Sequence, residues 1–138
     1  MLAAVSKDGR LDVMVTPGKD NPWVLLVDDH EDGRELLGEF LSFNGYNVEA
    51  CGSGEEALEL VDKHGSPGVV ITDLSLGAMS GAELAQKLRG KEATSGIPIL
   101  AVTGHAGFDD PEKLFTAVLV KPVVLPELAA ALKRAIGA

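Results

Sequence analysis

Short apolar runs alternate with amphipathic stretches along most of this chain. The runs are Val24 to Val27, Val69 to Ile71, Ile97 to Val102 and Val118 to Val120, with a weaker one around Tyr46 to Val48. They are continuously apolar rather than alternating, the pattern of strands buried on both faces of a parallel sheet. Between them, apolar residues recur at helical spacing, as Leu36, Leu37, Phe40 and Leu41 in the first segment and Leu125, Leu128, Leu132 and Ile136 in the last. These stripes predict core packing rather than a binding site. Ser53-Gly-Glu-Glu56 and Ser80-Gly-Ala-Glu83 read as capping boxes, in which hydroxyl and carboxylate satisfy each other's orphan amides. Asp110 followed by Pro111 predicts a further helix start. Five strand-and-helix pairs with right-handed crossovers give an α/β fold, a doubly wound (βα)5 sandwich around a central five-stranded parallel sheet. Residues 1–22 differ. They mix charges with Thr16-Pro17-Gly18 and Asn21-Pro22 around one apolar patch, Val13-Met14-Val15, and predict an arm with at most one strand, leaving 23–138 as the single domain.

Composition narrows the partners. The 138 residues are 46% hydrophobic and only 4% aromatic, which suits one core of Val, Leu, Ile and Ala and excludes two independent domains. A formal charge of −9 excludes nucleic acid as a direct partner, since phosphate backbones are met by clustered Lys and Arg. No apolar run approaches the roughly 20 residues needed to cross a bilayer. Cys51 is alone and cannot form an intramolecular disulfide, and the N-terminus has no basic-then-apolar signal pattern. A soluble protein of the reducing cytoplasm, without membrane contact, is expected.

In a doubly wound sheet the ligand site lies beyond the carboxyl ends of the strands, where strand order reverses. Asp28 and Asp29 follow the first apolar run, Asp73 the third, Thr103 the fourth and Lys121 the fifth. The pattern therefore gathers three carboxylates, a hydroxyl and an ammonium at one edge. Clustered carboxylates repel and need a cation, and an all-oxygen set suits hard Mg2+ or Mn2+ rather than zinc. With metal bound, one carboxylate can serve as nucleophile toward phosphorus, Lys121 adds positive charge and Thr103 offers a hydroxyl to a phosphoryl oxygen. The bland alternative is that Asp28-Asp29 only opens a helix, where acidic residues are favoured. That alternative leaves Asp73, Thr103 and Lys121 unexplained.

Four pieces in this order, Val-Leu-Leu-Val-Asp28-Asp29-His, Val-Val-Ile-Thr-Asp73-Leu-Ser-Leu-Gly-Ala-Met-Ser-Gly81, Leu-Ala-Val-Thr103-Gly and Leu-Val-Lys121-Pro122, resemble the response-regulator receiver domains of two-component signalling. The resemblance runs from about Val24 to Ala135 and implies a flavodoxin-like fold. By it, Asp73 is the phosphoacceptor, Asp29 a direct metal ligand, Asp28 an outer ligand through water, and the main-chain carbonyl of Ser75 a further ligand. Lys121 reaches the phosphoryl group, and its bond to Pro122 is expected to be cis. The chain departs from the family pattern at four places. Gly77 stands where proline is usual, and Val118 where many members carry the inward-turning aromatic that reports phosphorylation. Only eighteen positions separate Thr103 from Lys121, about one helical turn fewer than the pattern, so the fourth helix should be short, irregular or mobile. In this the chain is similar to a Thr-Gly subgroup lacking that aromatic, although His105 replaces the aromatic residue such members carry after Gly104.

Some residues have simpler explanations. His30 is expected as a surface histidine at a helix start rather than a ligand or phosphodonor. His105 and Ser75 fall, by the resemblance, where side chains border the phosphoryl group, and Trp23 is expected in the core at the pole opposite the site. The resemblance implies a single-domain regulator, since the chain stops about one helix after Lys121-Pro122. It would take phosphate from a histidine kinase or histidine phosphotransfer protein and signal to a protein target not identified by the sequence. The surface of the fourth helix, fifth strand and fifth helix is the expected contact, and homodimerisation on phosphorylation is left open. It is then not an enzyme, beyond catalysing its own phosphorylation and dephosphorylation. Two alternatives stand beside this: a receiver-like interaction module that takes no phosphate, and the detached receiver of a hybrid histidine kinase whose preceding module ends around Gly9 to Pro17. An aspartate-dependent phosphatase would prefer an acid at Ser75, and a flavin carrier a phosphate-cradling loop where Asp28 and Asp29 stand.

Overall fold

The computed structural model describes residues 3–5, 11–13, 23–105 and 107–136. Two short strands, β1 (Ala3–Val5) and β2 (Leu11–Val13), pair antiparallel. Residues 1–22, expected as an arm with at most one strand at Val13-Met14-Val15, thus contain a strand pair; Met14, Val15, Thr16-Pro17-Gly18 and Asn21-Pro22 lie outside the described residues. The domain then runs β3 (Trp23–Val27), α1 (Glu31–Phe43), β4 (Asn47–Cys51), α2 (Gly54–His64), β5 (Val69–Asp73), α3 (Gly81–Arg89), a single 3-10 turn at Glu92–Thr94, β6 (Ile99–Thr103), β7 (Ala117–Val120) and α4 (Leu125–Ile136). The sheet order is β4-β3-β5-β6-β7, every pair parallel. The chain steps from β3 outward to β4 and then back past it to β5, so strand order reverses between β3 and β5. This is the flavodoxin-like α/β sandwich.

Successive residues of a strand face opposite sides, and here each side meets helices. Trp23, Leu25 and Val27 pack with Ala57 and Val61 of α2 and Leu84, Ala85 and Leu88 of α3. Val24 and Leu26 pack with Leu37 and Leu41 of α1 and Leu128, Ala131 and Leu132 of α4. Every residue of β3, β5 and β6 is buried, which is why these runs are unbroken in sequence. The edge strands are half-buried, and β4 is weakly apolar for that reason. Trp23 is buried as expected, edge-on to His64 with ring centroids 6.0 Å apart. The Cys51 thiol is buried in the same layer, and burial pushes its pKa up to about 11, leaving it protonated and unreactive at neutral pH.

Three local expectations change. Ser80 and Glu83 form the full capping box, but Glu56 accepts from the Gly52 N–H rather than that of Ser53, so the first box is displaced by one residue. Leu36 is 61% exposed although its neighbours Leu37 and Leu41 are buried; it sits one helical step off the buried stripe. The expected fourth strand-and-helix pair lacks its helix: none forms among the described residues of 104–116, including at Asp110-Pro111. Asp110 accepts from the amides of Leu114 and Phe115, at 2.9 Å each, four and five residues on, rather than from the second or third amide of a helix. Lys113 adopts a φ of 56°, the left-handed region that ends helical progress. The segment is held instead by Arg89, which donates to the Leu114 carbonyl through Nε at 3.1 Å and Nη2 at 2.9 Å, and by edge-to-face packing of Phe108 on Phe115. Among the described residues, no helix is long and apolar enough to cross a membrane.

Candidate functional site

The carboxyl ends of β3, β5, β6 and β7 deliver the polar residues that the strand-end pattern singled out. Asp28 follows β3, and its amide donates to the Cys51 carbonyl at 3.1 Å, locking this corner to β4. Its carboxylate is nearly buried and accepts the His30 amide at 2.9 Å, while its carbonyl accepts Arg34 Nη1 at 2.7 Å. Asp29 is more exposed. Asp73, the last residue of β5, is buried: Oδ1 accepts the Ser75 amide at 3.0 Å, and Oδ2 accepts Lys121 Nζ at 2.6 Å. Thr103 ends β6, buried, with Oγ1 accepting the His105 amide at 3.0 Å. Lys121 follows β7, ties its amide to the Thr103 carbonyl at 2.7 Å, and precedes Pro122 through a cis bond. The structure therefore brings Asp28, Asp29, Asp73, Thr103, Ser75 and Lys121 to one edge, at the reversal point.

The electrostatics follow from this assembly. The hydrogen bond to Asp73 holds the Lys121 ammonium charged above its ordinary range, against an opposing effect of burial, and the charges of Asp73, Asp28 and Asp29 add to it. One ammonium faces three carboxylates, so the cluster has spare negative charge. Ligand atoms of Asp28, Asp29, His30 and Asp73 lie within 4.8 Å of one another. A cluster with two of its carboxylates nearly buried and oxygen donors predominating fits a small hard divalent cation.

Sequence reasoning missed four contributors. Arg34 steadies the Asp28 carbonyl from the first turn of α1, with no signal beyond its place on the helix. The His30 ring, which opens α1 as the expected exposed residue, turns back so that Nδ1 lies 3.1 Å from Asp29 Oδ1 and 3.5 Å from Asp28 Oδ1. A mostly apolar cavity of about 640 Å3 opens beside the site, lined by Leu26, Leu37, Ile71 and Val123 together with Asp73 and Lys121. Gly81 begins α3 so close to β5 that an added Cβ would overlap the Asp73 carbonyl oxygen and approach Leu74 Cα to 2.9 Å. Because these obstacles are backbone, they move only if Asp73 moves. Gly81→Ala is expected to destabilise the fold by about 1–3 kcal/mol, read by urea unfolding, and to lower metal affinity in the same protein. Unchanged stability and affinity would show that the α3 start is free to shift.

A family model described as the response regulator receiver domain matches residues 24–133. The chain is similar to the polar-differentiation response regulator DivK of Brucella ovis, at 30% identity over 83% of this chain and 95% of that protein. Among solved structures, the chemotaxis response regulator CheY4 of Vibrio cholerae superposes with a TM-score of 0.74 at 31% identity, over 83% of this chain and 98% of that one. The receiver domain of the sensor histidine kinase PA1611 from Pseudomonas aeruginosa, whose structure has a magnesium ion coordinated in the active-site cleft, superposes with a TM-score of 0.77 at 25% identity, over 86% and 99%.

Proposed function

Because the chain belongs to the response-regulator receiver family, we propose that it is a phosphorylation switch whose acceptor is Asp73. The observation that carries this is the setting of that carboxylate: buried at the end of β5, with Lys121 on one oxygen and two further carboxylates beside it. The donor is a phosphohistidine of a histidine kinase or phosphotransfer protein. An Asp73 oxygen forms the new P–O bond as the donor P–N bond breaks, and the departing imidazole takes up a proton. Lys121 Nζ follows the charge onto the phosphoryl oxygens, and the Thr103 hydroxyl donates to one of them. The Ser75 amide keeps the carboxylate oriented. A Mg2+ or Mn2+ ion held by Asp29, Asp73 and the Ser75 carbonyl, with Asp28 through water, would neutralise phosphoryl charge. The domain catalyses only its own phosphorylation and dephosphorylation, works in the cytoplasm with residues 1–22 as an arm, and signals to a protein partner.

Intact-protein mass after incubation with acetyl phosphate tests this. An adduct of about 80 Da, one phosphoryl group, is expected only with divalent metal. No adduct from either acetyl phosphate or a phosphorylated histidine donor would leave the second reading, an interaction module that takes no phosphate. The missing helix between β6 and β7, together with Val118, favours that reading.

A further inference from the structure

The His30 ring has a place at the site that neither the strand-end pattern nor the phosphoryl chemistry explains. It opens α1, where a side-chain cap would ordinarily accept from the helix's first amides, yet it makes no such bond. Its amide donates to Asp28 Oδ1 at 2.9 Å, and its carbonyl accepts the Arg34 amide at 2.9 Å. The backbone is therefore fixed, and only the side-chain torsions of the imidazole remain free. The ring settles with Nδ1 at 3.1 Å from Asp29 Oδ1 and 3.5 Å from Asp28 Oδ1. Two donors at right angles on an ion with bonds of about 2.1 Å stand about 3 Å apart. The spacing of Nδ1 to the Asp29 oxygen is thus that of neighbouring ligands on one small divalent ion.

We propose that His30 Nδ1 is a nitrogen ligand of the divalent-metal position and moves its preference from Mg2+ toward ions that favour imidazole. The inference rests on the reading of this cluster as the domain's metal site, and deepens it. Carboxylate, carbonyl and water oxygens alone leave a site suited to Mg2+, whereas one imidazole adds affinity for Mn2+, Fe2+, Co2+ and Ni2+ in rising order and little for Mg2+. A histidine that is merely a neighbouring base would not discriminate among divalent ions. In the cell, the ion carried would then follow the supply of manganese or iron as well as magnesium.

Calorimetric titration of the tag-free full chain with MgCl2 and with NiCl2 tests this, at about pH 8 so that protons compete little with metal. Wild type is compared with His30→Ala, with His30→Asn, which offers a favourable helix-cap side chain that His30 lacks, and with His105→Ala as a control for the other nearby imidazole. Both His30 variants are expected to weaken Ni2+ binding about ten-fold or more and to leave Mg2+ binding within about two-fold, while His105→Ala changes neither. Pulsed EPR of the Mn2+-loaded protein should show a nitrogen coupling in wild type that both His30 variants lose. Equal effects on Mg2+ and Ni2+, no effect on either, or a nitrogen coupling that persists without His30 would overturn the assignment while leaving the metal site standing. Failure of wild type to bind any divalent ion would overturn both. Failure of wild type to take phosphate while it binds metal would count against Asp73 as acceptor, and not against His30.

Discussion

Replacing Asp73 with asparagine should remove phosphoryl acceptance and leave the fold in place. The substitution is nearly isosteric, and the retained Oδ1 can still accept the Ser75 amide that it accepts at 3.0 Å. What disappears is the nucleophile, because an amide oxygen does not attack phosphorus usefully, and the expected loss is at least about a thousand-fold. The new amide nitrogen would face the Lys121 ammonium, donor against donor, where a 2.6 Å charge-assisted bond now lies. Lys121 should therefore swing away, and a partner that reads its position would see an altered surface. Stability should change little, since the lost ion pair is offset by relief of repulsion with Asp28 and Asp29. Adduct mass and thermal unfolding check the two halves separately. A labelled Asp73→Asn protein would sink the assignment.

Lys121→Ala is the second large effect, and it acts in the opposite sense on metal. Removing the ammonium leaves the Asp73 carboxylate buried at 4% exposure without its charged partner. A buried acceptor stripped of its bond destabilises by about 1–3 kcal/mol, toward the lower end here because the lysine side chain is itself 38% exposed. A divalent ion can take over the lost positive charge, so the rise in Tm on adding Mg2+ should be larger in Lys121→Ala than in wild type. The pH dependence has a fixed sign. The Lys121 pKa is raised above 10.5 in the fold, so the pair's contribution is fully present below that value and is lost as pH rises through the higher, folded one. Wild type should lose more stability than the variant in that alkaline window, the cost of ionising the buried Cys51 thiol being common to both. Phosphorylation of the variant should no longer alter hydrogen exchange in β6 and β7, since the link from the phosphoryl group through Lys121 to the Thr103 carbonyl is cut. An equal Tm response to Mg2+ in both proteins would show that Lys121 and the ion do not share the same charge.

Four residues of the candidate site were legible because they end a strand or follow it directly. An unbroken apolar run announces a strand buried on both faces, and the polar residues just after it fall at the carboxyl edge, so Asp28, Asp73, Thr103 and Lys121 could be placed together without contact information. The central strands were legible for the same reason. The missing helix after β6 was half visible, in the shortness of the Thr103 to Lys121 interval. Asp110-Pro111 then misled, since a capping residue has the same identity whether it holds a helix start or an open turn. What decides between them is Arg89, which reaches across from α3 to the Leu114 carbonyl, and that is a tertiary fact. Leu36 belongs to an apolar stripe in sequence, yet lies just off the buried line of α1. The His30 ring was likewise hidden, because spacing along a chain fixes where a backbone goes and not where a torsion turns an imidazole.

On the face away from α4, which no helix among the described residues covers, β7 presents Val118 and Val120 at 36% and 43% exposure, and among the described residues it pairs only with β6. Such an edge invites further strands to add, the first step toward aggregation. Here it is only four residues long, and it is followed at once by a charged lysine and then a proline that has no amide to offer a growing ladder. The residues that close the signalling site thus also keep the open edge too short to be extended, and lengthening β7 by replacing Pro122 would expose the domain to sheet-to-sheet association at high concentration.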